Sequence, residues 1–222
     1  MVKELYSVTN TSTLEDEKGV YHNSKCAVLS EKGREQAVSL AKLLEKEKID
    51  LVLSGKLVRQ SQTAEIIANY LNLNVVFSPA LIERAGGDLE GKTHKDTHLT
   101  LRSYLELYGK GKKSPLYGME SLNLVFNRIE NFSSKLFSYC TDYFPEQKIL
   151  IVGSRFITSY LINYLMDEKP IYHEQDPVAV HYLLFNELAK PLVCNLNQSK
   201  LERNLVATSF QVQTSDIYTK NL

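Results

Sequence analysis

Two stretches constrain the fold more than any other part of this chain. "DLVLSG" at 50–55 and "KILIVGS" at 148–154 are short apolar runs that stop at small residues and lead straight into helix-patterned segments. Runs of that length, rich in Val, Ile and Leu, suit strands covered on both faces. Strands that alternate with amphipathic helices build a mostly parallel sheet.

The rest of the chain repeats the alternation. "ELYSV" (4–8) reads as a first strand entering a polar loop at 9–29. "LSEKGREQAVSLAKLLEKEKID" reads as a helix capped by Ser30, with Ala37, Leu40, Ala41, Leu43 and Leu44 on one face. Residues 57–73 form a second amphipathic helix with Ala64, Ile67, Ala68 and Leu71 inward, and 74–79 form a strand stopped by Pro79. Residues 80–118 are less regular, with a short helix expected at about 96–108. A long helix at 120–143 precedes the 148–154 strand, and a further helix follows at 156–166. Strand-like runs at 178–186 and 191–197 come next, and 207–218 is a final strand or a tail. The expectation is one α/β domain over 1–222, its mostly parallel sheet covered by helices on both faces. Sites in such sheets form beyond the carboxyl ends of strands, which singles out the loops 9–13, 54–59 and 153–156.

Charge narrows the class. Lys+Arg and Asp+Glu both number 26, so the chain carries no net charge that would favour nucleic acid or an anionic membrane. No apolar run is long enough to span a bilayer, and "MVKELYSVTN" lacks a signal-like apolar stretch. Three separated cysteines, Cys26, Cys140 and Cys194, form no Cys-x-x-Cys pair and fit reduced thiols in a cytoplasmic protein.

An ordered series of motifs follows the same loops. "SGKLVRQSQTAEII" carries Arg59, Gln62, Thr63 and Ala64, and "LIERAGGDLEG" carries Glu83, Gly87, Glu90 and Gly91. "VYHNSKCAVLSEKGREQA" carries Tyr21, Leu29, Gly33, Gln36 and Ala37, followed later by "GMES", "VGSR" and "LVCNLNQSKL". In this order and spacing the chain resembles the histidine phosphatase superfamily, with a phosphoglycerate-mutase-like fold, along nearly its whole length. The resemblance implies a variable cap at about 95–120. In that family a first-strand Arg-His-Gly-Glu-Thr supplies a nucleophilic His. Two Arg and a second His hold the phosphate, and a carboxyl group protonates the leaving group.

Projected onto this chain, the first motif becomes "TNTST". Thr9 stands for the clamp Arg, Asn10 for the nucleophile, Thr11 and Ser12 for Gly and Glu, and Ser154 for the second His. A carboxamide nitrogen is delocalised into its carbonyl and cannot attack phosphorus. Losing one stabilising donor costs roughly a hundredfold in rate, and losing the nucleophile costs several orders of magnitude. The family's route of hydrolysis is therefore expected to be lost. Of the central set only Arg59 and Glu83 remain. Arg59 offers an anion contact or an ion pair with Glu83, and Glu83 is the first choice for proton transfer in a repurposed cleft.

The remaining candidates have plainer readings beside the functional ones. Arg155 compensates for the missing cation if it turns inward, and is a solvent-facing helix residue otherwise. His22 replaces the lost imidazole if it reaches the cleft, and is an exposed loop residue otherwise. His94 and His98 at i, i+4 lack a third ligand, His173 and His181 lack a motif, and Cys26 has no neighbouring base in sequence. "GKGKK" (109–113) and Lys56 read as solvated.

No metal or cofactor is expected. The reading is a catalytically degenerate member that binds a small polar or anionic ligand, or a protein partner, through Asn10, Ser12, His22, Arg59, Glu83, Ser154 and Arg155. The alternatives are an enzyme repurposed for a non-phosphoryl step in small-molecule metabolism and a purely structural subunit. Neither nucleic acid nor membrane is an expected partner.

Overall fold

The computed structural model describes residues 2–22, 26–87, 90–93, 120–143, 146–168, 176–186, 188 and 190–198. Its strands are β1 (Val2–Thr9), β2 (Leu51–Ser54), β3 (Val75–Phe77), β4 (Gln147–Gly153), β5 (Val180–Phe185) and β6 (Pro191–Gln198). Its α-helices are α1 (Leu14–Glu17), α2 (Glu31–Leu44), α3 (Val58–Leu71), α4 (Leu122–Tyr143) and α5 (Arg155–Leu165). The expected α/β class holds. The sheet order is β3-β2-β4-β1-β5-β6, parallel from β3 to β1 and antiparallel at β5 and β6.

Alternation along β1 explains the two-layer cover, because successive side chains leave a strand on opposite faces. Tyr6 and Val8 join Val52, Leu150 and Val152 under Leu40, Ala41 and Leu44 of α2 and Ala64, Ile67 and Ala68 of α3. Leu5 faces the other way and joins Ile149, Ile151 and Leu183 under Leu122, Val125 and Ile129 of α4 and Phe156, Ile157 and Leu161 of α5. Leu43 and Leu71, expected inward, are only half-buried at the edges of the first layer. Burying a side chain of this size stabilises by roughly 1.5–3 kcal/mol, so each layer is held by many such contacts rather than by any one.

Register sets the level of the site. Thr9 pairs with Gly153, and Ser54 pairs with both Val152 and Phe77. The carboxyl ends of β1, β2 and β4 therefore lie within about one residue of each other, and their loops open on the same rim. At the opposite end of the sheet the Tyr6 hydroxyl bonds to Glu4 at 2.6 Å and to Glu47 at 2.8 Å. Lys148 Nζ lies 2.9 Å from the other oxygen of Glu4. Burial, together with these two carboxylates, pushes the Tyr6 phenol far above its ordinary pKa.

The polar loop after β1 is more ordered than its sequence suggests. Thr13 caps the single turn α1 reciprocally: its hydroxyl accepts from Asp16 N, and the Asp16 carboxylate accepts from Thr13 N at 2.8 Å. The helix expected at 96–108, the run at 207–218, the basic run at 109–113, His94, His98, His173 and the cap up to residue 119 lie outside the described residues, as does the side chain of Cys194. Among the described residues no helix is long and apolar enough to cross a membrane.

Candidate functional site

Backbone hydrogen bonds lock the three loops together. Asn10 N donates to Gly153 O at 2.8 Å, which joins the end of β1 to the end of β4. Thr11 N donates to Thr63 Oγ1 at 3.2 Å, and Thr63 Oγ1 donates to Arg59 O at 2.8 Å, which joins β1 to α3. Ser12 N donates to Gln36 Oε1 at 3.1 Å, and Ser12 O accepts from Ser30 N at 3.0 Å, which joins the loop to α2. Leu29 N donates to Gln62 Oε1 at 2.8 Å. The motif residues Gln36, Gln62 and Thr63 thus fix loop backbone. Ser30 caps α2 as expected, accepting from Gly33 N.

Arg59 is the second residue of α3 and is 2% exposed. Burial lowers its pKa from the ordinary guanidinium value, and Glu83, Asp16, Glu90 and Tyr21, in that order, act against that shift. The guanidinium stays protonated at neutral pH. Glu83, half-buried, also accepts from Arg84 N at 2.7 Å. Tyr21 and the segment carrying Glu90 are held together, since Gly91 N donates to Tyr21 O at 2.9 Å and Tyr21 N donates to Lys92 O at 2.8 Å. Gly91 takes a φ of +79°, a left-handed conformation that favours glycine.

Thr9, Asn10 and Ser154 line up along the rim. Thr9 and Ser154 are each 3% exposed, and Asn10 is half-buried with Nδ2 donating to Thr11 O at 3.3 Å. Ser154 is the N-cap of α5, yet its hydroxyl does not cap the helix. Ser154 Oγ is buried and has no hydrogen-bond partner among the described residues. Ser12 is half-buried. Arg155 is exposed at the first position of α5, so the inward turn that would restore a second cation is not the conformation observed.

His22 is not the exposed loop residue of its plainer reading. Its side chain is 10% exposed, and Nε2 lies 2.8 Å from Asp16 Oδ1 and 3.0 Å from Thr13 Oγ1. Nδ1 is buried without a hydrogen-bond partner among the described residues. Burial pushes the Asp16 carboxyl upward, but the hydrogen bond and charge of His22 and the hydrogen bonds with Thr13 outweigh it and hold the group at about 2.

Asp16, Glu90 and Tyr21 were not among the residues singled out from sequence as ligand contacts. The spacing of Thr13 and Asp16 is that of a capping box and was a usable signal for the first of them. Glu90 acts on Arg59 from a segment that the pairing of residues 20–21 with 91–93 holds in place, and no local signal reports that pairing.

His181 is buried in β5, in register with Ser7. Cys26 is exposed, Cys140 is buried, and neither forms a disulfide. No group of three or more His, Cys, Asp or Glu suited to a metal occurs among the described residues. A separate open groove of about 1030 Å³ runs between β3 and α4, lined by residues such as Val76, Phe77, Tyr139 and Tyr143 and by none of the rim residues.

Comparison with known proteins matches this arrangement. The profile described as Histidine phosphatase superfamily (branch 1) fits residues 11–190, opening directly after Asn10. The adenosylcobalamin/alpha-ribazole phosphatase of Salmonella typhimurium is 30% identical over 165 residues, 73% of this chain and 79% of that protein. A putative alpha-ribazole-5'-P phosphatase from Escherichia coli K-12 superposes with a TM-score of 0.75 at 23% identity, over 90% of this chain and all of its own. A mycobacterial glucosyl-3-phosphoglycerate phosphatase in complex with VO3 gives a TM-score of 0.75 at 21% identity, over 90% of this chain and 99% of its own. At such identities the solved structures speak for the fold alone. The length of the profile match and the Salmonella relative carry the assignment further: the chain belongs to the histidine phosphatase superfamily, branch 1.

Proposed function

We propose that this chain is a pseudophosphatase, a member of its superfamily that binds a small ligand or a protein partner at the rim of β1, β2 and β4, near Arg59, without transferring phosphate. The observation that supports this reading is the rim of β1 and β4, where Asn10 N donates to Gly153 O and no histidine directly follows either strand end; on the resemblance, Asn10 and Ser154 stand for the family's two histidines. Two of the chain's five histidines, His22 and His181, lie among the described residues. His181 is enclosed in β5, and His22 commits Nε2 to Asp16 and Thr13. The relatives are named phosphatases, but a shared fold does not carry a shared reaction when the reacting side chains differ. Free thiols at Cys26 and Cys140 suit a reducing compartment such as the cytoplasm.

A rapid-quench assay of the unmodified protein with p-nitrophenyl phosphate tests the reading. The expected result is no burst and no phosphorylated side chain. A burst accompanied by a phosphohistidine would refute it.

A second reading has one observation in its favour. The Asp16–His22 pair resembles an oriented base, with one ring nitrogen held by a carboxylate and the other left over. An enzyme repurposed for a non-phosphoryl reaction would use Nδ1 of His22, or Glu83, for proton transfer. Turnover of a metabolite that co-purifies with the protein, lost on Glu83→Gln or His22→Gln, would establish it.

A further inference from the structure

A second surface lies away from the rim. The open groove of about 1030 Å³ between β3 and α4 holds Val76, Tyr139 and Tyr143, each at least half exposed. The rings of Tyr139 and Tyr143 stand 5.1 Å apart, tilted by 38°. Large apolar side chains scattered singly over a surface mean little, but gathered in one groove they mark an interaction site.

The groove has two walls. One is β3, the last strand on its side of the sheet, which pairs only with β2 among the described residues. Edge strands are commonly guarded by charge, yet residues 66–82 contain no charged side chain. The strand is only three residues long, so it offers a short ladder, and the second wall carries more. That wall is α4. Its Phe132, Lys135, Tyr139 and Asp142 all line the groove, spaced three, four and three residues apart. This is the spacing of a seam along which two helices pack lengthwise.

The charges on that seam select the occupant. Lys135 and Asp142 are both exposed, two turns apart, about 10 Å along the helix axis. Neither forms an ion pair among the described residues, and Asp142 only accepts from Ser138 Oγ at 3.5 Å. When two copies of α4 run antiparallel about a two-fold axis near Ser138 and Tyr139, Lys135 of each copy stands opposite Asp142 of the other. The pair forms twice, with the Tyr139 rings between. An unrelated protein would have to bring a matched base and acid at the same spacing, whereas a second copy supplies them by symmetry. The chain carries no net charge, so two copies approach without overall repulsion.

We propose that this groove is the contact between two copies of the chain, a symmetric dimer built on antiparallel α4 helices and closed by two Lys135–Asp142 pairs. The dimer goes beyond the proposed function and does not rest on it, since no rim residue lines the groove.

Sedimentation equilibrium of the full chain over a range of concentrations tests the proposal. The expected result is a reversible monomer–dimer equilibrium. Lys135→Glu and Asp142→Lys each turn both pairs into like-charge contacts and should each weaken the dimer at least about tenfold. Mixed in equal amounts, the two variants should associate again, because the mixed pair sets the new acid against the new base and keeps one original pair. Both positions are exposed, and recovery on mixing shows by itself that each variant is folded. A chain that stays monomeric up to its solubility limit would overturn the proposal and leave the groove to a different macromolecule. A dimer that neither reversal weakens, or single variants that fail to associate on mixing, would overturn it as well.

Discussion

Gly33 lies so close to Ser12 that a Cβ on it would stand 1.9 Å from the Ser12 carbonyl oxygen. The same carbonyl accepts from Ser30 N, so the first turn of α2 is pressed against the backbone of the rim loop. Gly33→Ala sets two effects against each other. Alanine gains up to about 1 kcal/mol of helix propensity over glycine. Overpacking against a backbone atom that cannot rotate away costs about 1–3 kcal/mol or more. The clash wins, and the variant should be less stable by about 1–2 kcal/mol in chemical denaturation. An unchanged or raised midpoint would show that the loop yields without cost.

Tyr6 is the shared donor of two buried carboxylates at the far end of the sheet. One phenol proton serves both Glu4 and Glu47, and hydrogen bonds to charged groups contribute about 1.5–3 kcal/mol. Tyr6→Phe should cost about that much, with no effect on ligand binding at the opposite rim. Adding Glu47→Gln should recover part of the loss, because it removes one of two carboxylates brought close together. A double variant less stable than the single one by the full cost of Glu47→Gln alone would contradict this account.

Asp16 makes stability depend on acid. Its folded value of about 2 lies below the ordinary carboxyl value of 3.8, so its contribution is fully present above about pH 4. The contribution is lost as pH falls from about 4 through about 2, where the folded-state carboxylate takes its proton. The Asp16 side chain is 48% exposed, so screening keeps the effect below about 1 kcal/mol. The stability difference between the unmodified protein and Asp16→Asn, measured by urea unfolding, should therefore shrink across that window. A difference that stayed constant from pH 5 to pH 2 would show that the pairing with His22 does not tune this carboxyl.

Legibility from sequence followed the range of the interactions. Strands β2 and β4 were readable because apolar runs report burial on both faces, and α2 because Ser30 and the spacing of Ala37, Leu40, Ala41 and Leu44 are local signals. The three rim loops followed from strand direction alone. The electrostatic surroundings of Arg59 did not, because Glu83, Asp16 and Glu90, which all act on it, lie on separate segments that no short window contains. His22 shows the same limit. Its neighbours in sequence give no hint that Asp16, six residues earlier, turns back across the single turn α1 to hold it. Ser12 and Gly33 show the limit at the backbone level, since a close approach between two loops leaves a glycine in the sequence but does not name its partner.

Installing the side chains that the family resemblance gives to the rim should confer phosphate binding before it confers any reaction. Thr9→Arg, Asn10→His and Ser154→His together add one permanent cation and two imidazoles at the rim that holds the buried Arg59. Thr9 and Ser154 are both buried, so the larger side chains should cost about 1–3 kcal/mol of stability through overpacking. Binding of phosphate needs only the altered charge. Turnover needs an imidazole nitrogen aligned within about 3–3.5 Å of phosphorus, a demand that approximate placement does not meet. The triple variant should therefore gain a phosphate-dependent rise in melting temperature that the unmodified protein lacks. At a phosphate concentration a hundred times its Kd the rise corresponds to about 2.7 kcal/mol. A folded triple variant with no phosphate response would mean that these three side chains are not what the rim lacks for binding phosphate.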